Sequence, residues 1–180
     1  MGKVKLLSRW IADSNLPRKS IYDGTNLSYS TITLLAFISA IEHNQENSVK
    51  TLLKDNRSDP DAHNNAALRT AIQLGNASIV QLLLKYVDPS VNDDYIMRLV
   101  CFYGDIHIVK VLLADERVNP SANNNSTLEV AVSQGHEAIV KLLLKHKKTN
   151  RTLLNGAIQI ANEHKRHSIL NLLLQSQLVN

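Results

Sequence analysis

Ile139-Val140-Lys141-Leu142-Leu143-Leu144-Lys145 is the stretch that decides the fold, because it is one of several copies. It returns as Ile79-Val80-Gln81-Leu82-Leu83-Leu84-Lys85, as Ile108-Val109-Lys110-Val111-Leu112-Leu113 and, weaker, as Ile169-Leu170-Asn171-Leu172-Leu173-Leu174. Aligned on Val49, Val80, Val109, Val140 and Leu170, the copies are spaced by 31, 29, 31 and 30 residues. Segments of that length cannot bury an apolar side alone, so they must stack in a row and leave long surfaces open to contact.

Within one copy, Leu128, Ala131 and Val132 recur at helical spacing, Gln134-Gly135-His136 interrupts, and Ile139, Val140, Leu142, Leu143 and Leu144 form a heavier apolar stripe. This predicts two short antiparallel helices: an inner one over about 127–134 and an outer one over about 137–146. Gly135 is expected in the left-handed conformation that ends a helix without a Cβ clash, with Gly75, Gly104 and Asn44 in the matching places. Lys165 breaks the rule. Either that helix pair is joined differently, or the position holds about 1 kcal/mol of backbone strain.

The connectors, such as Asn119-Pro120-Ser121-Ala122-Asn123-Asn124-Asn125, are rich in residues that stop one helix, accept left-handed turns and cap the next. The connector through Asp88-Pro89-Ser90 is two residues shorter than its neighbours, which accounts for the 29-residue spacing.

Thr127-Leu128-Glu129-Val130-Ala131 followed by Gly135-His136-Glu137-Ala138-Ile139-Val140-Lys141-Leu142-Leu143 resembles the ankyrin repeat, in a divergent form of roughly 31 residues. The resemblance covers about 34–180 and implies an all-α ankyrin-repeat solenoid of stacked helix-turn-helix units with short connecting loops or hairpins. Five units are expected, at about 34–64, 65–94, 95–125, 126–150 and 151–180. Thr127 stands where the family pattern has Pro, and Arg69, Arg98 and Glu129 stand where it has His; in the family that His helps tie neighbouring hairpins together, so the resemblance implies hairpins that are looser or differently bonded here. Residues 1–33 fall outside the register and are read as an N-terminal cap or helical extension. Asn162, Gln159 and Glu163 make the last inner helix polar, as a terminal cap should be, which suits a complete array.

The resemblance also implies a non-catalytic module or scaffold that binds a protein partner through a concave groove. Carried over unit by unit, the groove positions are Glu42 and His43, Gln73 and Leu74, Phe102 and Tyr103, Ser133 and Gln134, then Glu163 and His164. Phe102 and Tyr103 are two of only eight aromatic residues and lie side by side in the central unit. Rigid aromatics are common energetic anchors of interfaces, although Phe102 could instead cover an adjacent unit. The connector tips add His63, Asn65, Asp94 and Asn125 as polar contacts, the alternative being that Asn is there for the turn itself.

Competing chemistries find less support. The net charge is +4, and Lys141, Lys145, Lys147, Lys148, Arg151, Lys165 and Arg166 crowd the C-terminal part, as a face for nucleic acid or an anionic surface would require. Stacking aromatics are not interleaved with them, so nucleic acid ranks low. A structural spacer or oligomerisation element is the other alternative. His164 and His167 lack the further ligands a metal site needs, and there is no phosphate loop or nucleophile elbow, so neither enzyme activity nor any cofactor or metal is expected. One cysteine, Cys101, excludes an intrachain disulfide and suits a reducing, intracellular and cytoplasmic setting. No apolar run reaches the ~20 residues of a membrane span, and a monomer is expected.

Overall fold

A computed structural model describes residues 29–56 and 58–178, with the side chains of Asn92 and Asp93 left out of the description. The expected N-terminal cap lies almost wholly outside the described residues. Ten α-helices and no strand are found among those described. They are α1 (Tyr29–Glu42), α2 (Glu46–Lys54), α3 (Ala62–Gln73), α4 (Ala77–Leu83), α5 (Val91–Tyr103), α6 (Ile106–Leu113), α7 (Ala122–Gln134), α8 (Glu137–Lys145), α9 (Asn155–Glu163) and α10 (His167–Leu178). Two compact units divide the chain, Met1–Asp88 and Pro89–Asn180.

In the first unit, inner helices α1 and α3 pack together, and each is backed by its outer helix, α2 and α4. Ala36, Phe37, Ala40 and Ile41 of α1 meet a layer made by Val49 and Leu52 of α2, Ala67, Leu68, Ala71 and Ile72 of α3, and Ile79, Val80 and Leu83 of α4, all buried. In the second unit, α5, α7 and α9 form the inner row and α6, α8 and α10 the outer. Its core repeats the pattern with Met97, Val100 and Cys101, then Leu128, Ala131 and Val132, then Ala157 and Ala161, against Ile108, Val109, Leu112, Ile139, Val140, Leu143, Ile169 and Leu173. Small alanines on the inner helices let successive layers approach, and each fully buried Leu, Ile or Val contributes about 1.5–3 kcal/mol.

The interhelical turns take the expected left-handed form at Asn44, Gly75, Gly104 and Gly135, with φ of 51°, 68°, 82° and 80°. At Gly135, its own N–H donates to Val132 O at 3.0 Å and the His136 N–H to Ala131 O at 3.0 Å, which closes the helix end with paired bonds. Lys165 resolves the sequence ambiguity. Its φ is 55°, and the same two bonds recur, Lys165 N–H to Asn162 O at 3.1 Å and Arg166 N–H to Ala161 O at 2.8 Å. The last pair is therefore joined like the others, with an L-residue held where a Cβ is strained.

Among the described residues the connectors contain no strand pair. His63, Asn64 and Asn65 are three successive left-handed residues, with φ of 53°, 57° and 57°, as are Asn123, Asn124 and Asn125 at 48°, 55° and 64°. Asp94, in the matching place, has φ 56°. Asn and Asp tolerate this region better than other L-residues because their short side chains bond locally, which is the physical reason for the amide clusters. The last connector, between α8 and α9, lacks the triplet and takes another course. The inner helix of the first described pair begins at Tyr29, ahead of the boundary at 34 expected from sequence.

Candidate functional site

The inner helices turn one face into the core and the other outward, and the residues just before each interhelical turn fall on the outward side. Glu42, His43, Gln73 and Leu74 are exposed in the first unit, and Phe102, Tyr103 and Gln134 in the second, with Ser133 half-buried. Phe102 is 53% and Tyr103 43% exposed, so neither lies beneath neighbouring side chains. Their rings meet edge to face, with centroids 5.5 Å apart and planes at 84°, an arrangement that the ring quadrupoles favour. One and two turns earlier on α5, Arg98 lies over the ring of Tyr95, 5.7 Å from its centroid, and Tyr95 is itself 38% exposed. Tyr95 is not singled out in the sequence, and Arg98 is singled out there only as a departure from the family pattern. They lie three residues apart, and seven and four residues before Phe102, a spacing that reveals the shared face.

Three expected contact residues require correction. Asn65, Asp94 and Asn125 are buried, at 2%, 4% and 1% exposure, because the left-handed turn folds them inward. Each ties its connector to the following one. Asn65 Nδ2 donates to Asp88 O at 2.9 Å, Asp94 Oδ1 accepts from Asn119 N–H at 3.1 Å, and Asn125 Nδ2 donates to Asn150 O at 2.6 Å and Leu153 O at 2.9 Å. These bonds join each connector to the following one by side chain to main chain. Of the expected tip residues, His63 remains exposed. Its carbonyl accepts from Arg69 Nη2 at 3.2 Å.

At the turns of Gly135 and Lys165, side chains also reach backward. His136 Nε2 lies 3.3 Å from Phe102 O, and its ring fills the space a Cβ at Gly104 would need. His164 Nδ1 and Arg166 Nη2 approach Ser133 O at 3.2 and 3.5 Å. The carbonyl ends of α5 and α7, which no intrahelical N–H can serve, are thus covered by the next helix pair, and Phe102 is fixed from behind.

The basic cluster is partly committed within the fold. Lys141 pairs with Glu137 at 2.5 Å, and Lys148 Nζ donates to Glu116 O and Val118 O at 2.5 and 3.0 Å. Arg151 donates to Leu144 O from Nε and Nη2 at 3.3 and 3.2 Å. A shallow depression lined by His146, Lys147, Thr149, Asn150, Arg151 and Thr152 has many of its donors used this way; Thr149 Oγ1 donates to Leu143 O and Thr152 Oγ1 to Asn150 Oδ1. Burial, more than the nearby Lys148 and Lys147, holds the His146 pKa below its ordinary value. The hydrogen bond from Lys141, joined by one from Ser168, holds Glu137 below the usual carboxylate range.

Cys101 is fully buried, and loss of hydration pushes its thiol up to about 12, so it is no nucleophile near neutral pH. Among the described residues, no three His, Cys, Asp or Glu side chains are grouped to hold a metal ion. No described helix is long and apolar enough to cross a membrane.

Comparison with curated proteins finds no match to this chain. The family model for ankyrin repeats, in blocks of three copies, matches residues 11–93 and 96–180, reaching into the segment read from sequence as lying outside the register. With nearly the whole chain matched and the paired helices and left-handed turns in place, the protein belongs to the ankyrin-repeat family.

Proposed function

We propose that the chain is a non-catalytic module that binds a protein segment on its inner-helix surface, with Phe102 and Tyr103 as the anchor. The observation that carries this is the exposed, edge-to-face pair at the end of α5. Leaving a Phe in water forgoes about 1.5–3 kcal/mol of burial, which a partner covering it would recover. Arg98 over Tyr95 extends the same surface along the helix, and Ser133 and Gln134 continue it onto α7. Glu42, His43, Gln73 and Leu74 offer matching positions in the first unit. Ankyrin repeats generally serve protein–protein interaction, and the lone buried cysteine supports an intracellular setting for such a module.

Cross-linking and mass spectrometry in native extract would name a partner and the peptides it touches. Affinity for that partner is then measured with Phe102→Ala/Tyr103→Ala. A loss of at least ~30-fold, equivalent to about 2 kcal/mol, is expected if the pair is a hot spot. Unchanged affinity with the helical signal intact refutes the placement.

A further inference from the structure

We infer that the segment bound by the second unit is charge-ordered: an apolar residue on Phe102 and Tyr103, then Lys or Arg toward the α9 end. This rests on the proposed groove and adds the chemistry and direction of its occupant. The surface is graded along the row of inner helices. Phe102, Ser133 and Glu163 each stand two residues before the left-handed residue of their turn, at Gly104, Gly135 and Lys165. They therefore occupy one row across α5, α7 and α9. Tyr103, Gln134 and His164 form the adjacent row, and Arg98, Glu129 and Gln159 the row one turn earlier. Along the first of these rows the character passes from aromatic through hydroxyl to carboxylate, and in the third row a second carboxylate, Glu129, stands on α7.

Both carboxylates belong to the helix face. Glu163 is exposed, and its Oε1 accepts from Gln159 Nε2 at 2.8 Å, which orients it along the row. Glu129, half-buried, rests against Gly156 at the start of α9, where a Cβ would displace it. The cations around this surface are placed differently. Arg98 sits over Tyr95 at the aromatic end. Arg166 reaches back to Ser133 O at 3.5 Å, with its guanidinium carbon 2.8 Å from where a Gly135 Cβ would be. Lys165 is exposed at the turn itself. The inner-helix face toward α9 thus offers Glu129 and Glu163 to a partner, and neither carboxylate has an ion pair among the described residues.

Successive helices are about 10 Å apart, and an extended chain covers about 3.3 Å per residue. An extended segment anchored on Phe102 therefore reaches the level of Glu129 about three residues on and Glu163 about six residues on. Opposite charges at these distances add modest affinity at an exposed rim and more to orientation and encounter rate.

The test is a displayed library of random twelve-residue peptides selected on the intact chain, followed by affinity measurements with synthetic copies of the enriched peptides. Enrichment of an apolar or aromatic residue with Lys or Arg about three and six positions away is expected. Glu129→Lys/Glu163→Lys should weaken those peptides about tenfold in low salt, an effect mostly lost at 1 M salt where the screening length is about 3 Å. Selection on that variant should enrich Asp or Glu instead. Peptides that need Phe102 and Tyr103 but carry no basic bias would overturn the charge ordering and leave the groove standing. Peptides indifferent to Phe102→Ala/Tyr103→Ala would overturn both, and failure to enrich any peptide counts against both.

Discussion

Replacing Lys165 should stabilise the protein, which is unusual for a substitution that adds no contact. Lys165 has φ 55° in a turn where Gly75, Gly104 and Gly135 stand elsewhere. A left-handed L-residue costs about 1–2 kcal/mol relative to the right-handed form, and glycine avoids that at an unfolded-state entropy cost of about 0.5–1 kcal/mol. Lys165→Gly should therefore gain about 0.5–1 kcal/mol over Lys165→Ala, which removes the ammonium but keeps the Cβ. The alanine control cancels the interaction of the charge with the ends of α9 and α10. Lys165→Asn should gain similarly, since the first described turn already uses Asn44 at φ 51°. Urea unfolding followed by circular dichroism, with amide exchange in α9 and α10, reads the change. In heat it amounts to a rise of about 1–4 °C for a chain of this size. If Gly and Asn are no more stable than Ala, the strain assigned to this position is absent.

The buried connector residues should differ in what they tolerate. Asn125→Asp removes the amide that serves Asn150 O and Leu153 O and should cost about 2–4 kcal/mol in urea unfolding, whereas Asp94→Asn keeps an oxygen for Asn119 N–H and should cost less than about 1 kcal/mol. Gly104→Ala places a methyl into the His136 ring at φ 82°; a loss of about 2–3 kcal/mol is expected, partly restored by His136→Ala. His146 has its folded pKa depressed by burial, so its contribution is present above the unfolded value near 6.5 and is lost as pH falls through the lower folded value. Melting temperature should drop on acidification below pH 6.5, and His146→Gln should shrink the drop; an equal drop in both removes His146 as the cause. Cys101, with its pKa raised to about 12 and no exposure, should react with a thiol reagent at the rate of opening, and fast labelling under native conditions would contradict its burial.

The repeat, the helix pair and the turns were legible because each rests on local chemistry. The Ile-Val-x-Leu-Leu stripe has helical period, and Gly75, Gly104 and Gly135 do what only glycine does cheaply. Lys165 could be marked as anomalous but not resolved, since a strained turn and a different turn read alike from one side-chain identity. The Asn clusters were assigned to left-handed turns, yet which amide faces inward was not visible. Asn123 and Asn124 stay exposed while Asn125 is buried, because the third left-handed residue points to the following connector. That preference belongs to the tertiary arrangement. In the candidate site, position was legible and environment was not. Phe102 could have been a cover or an anchor, and only its 53% exposure separates the two.

Long-range polar contacts give the basic balance of the chain a second meaning. A charge of +4 with cations gathered toward the C-terminus suggests an anionic partner when composition is read alone. In the second unit, however, Arg166 covers Ser133 O, Arg151 covers Leu144 O and Lys148 covers Glu116 O and Val118 O. Helix C-termini carry unpaired carbonyls and partial negative charge, which cations offset. Most of these contacts join one helix pair to the next, so Arg or Lys at such places helps set the stacking itself. Of the cations crowded toward the C-terminus, Lys145, Lys147 and Lys165 stand outside these contacts, a small number for a process whose strength scales with the phosphates neutralised. The aromatic side chains on α5 meet no such internal demand, and for that reason the proposal places binding on Phe102 and Tyr103 rather than on the charge.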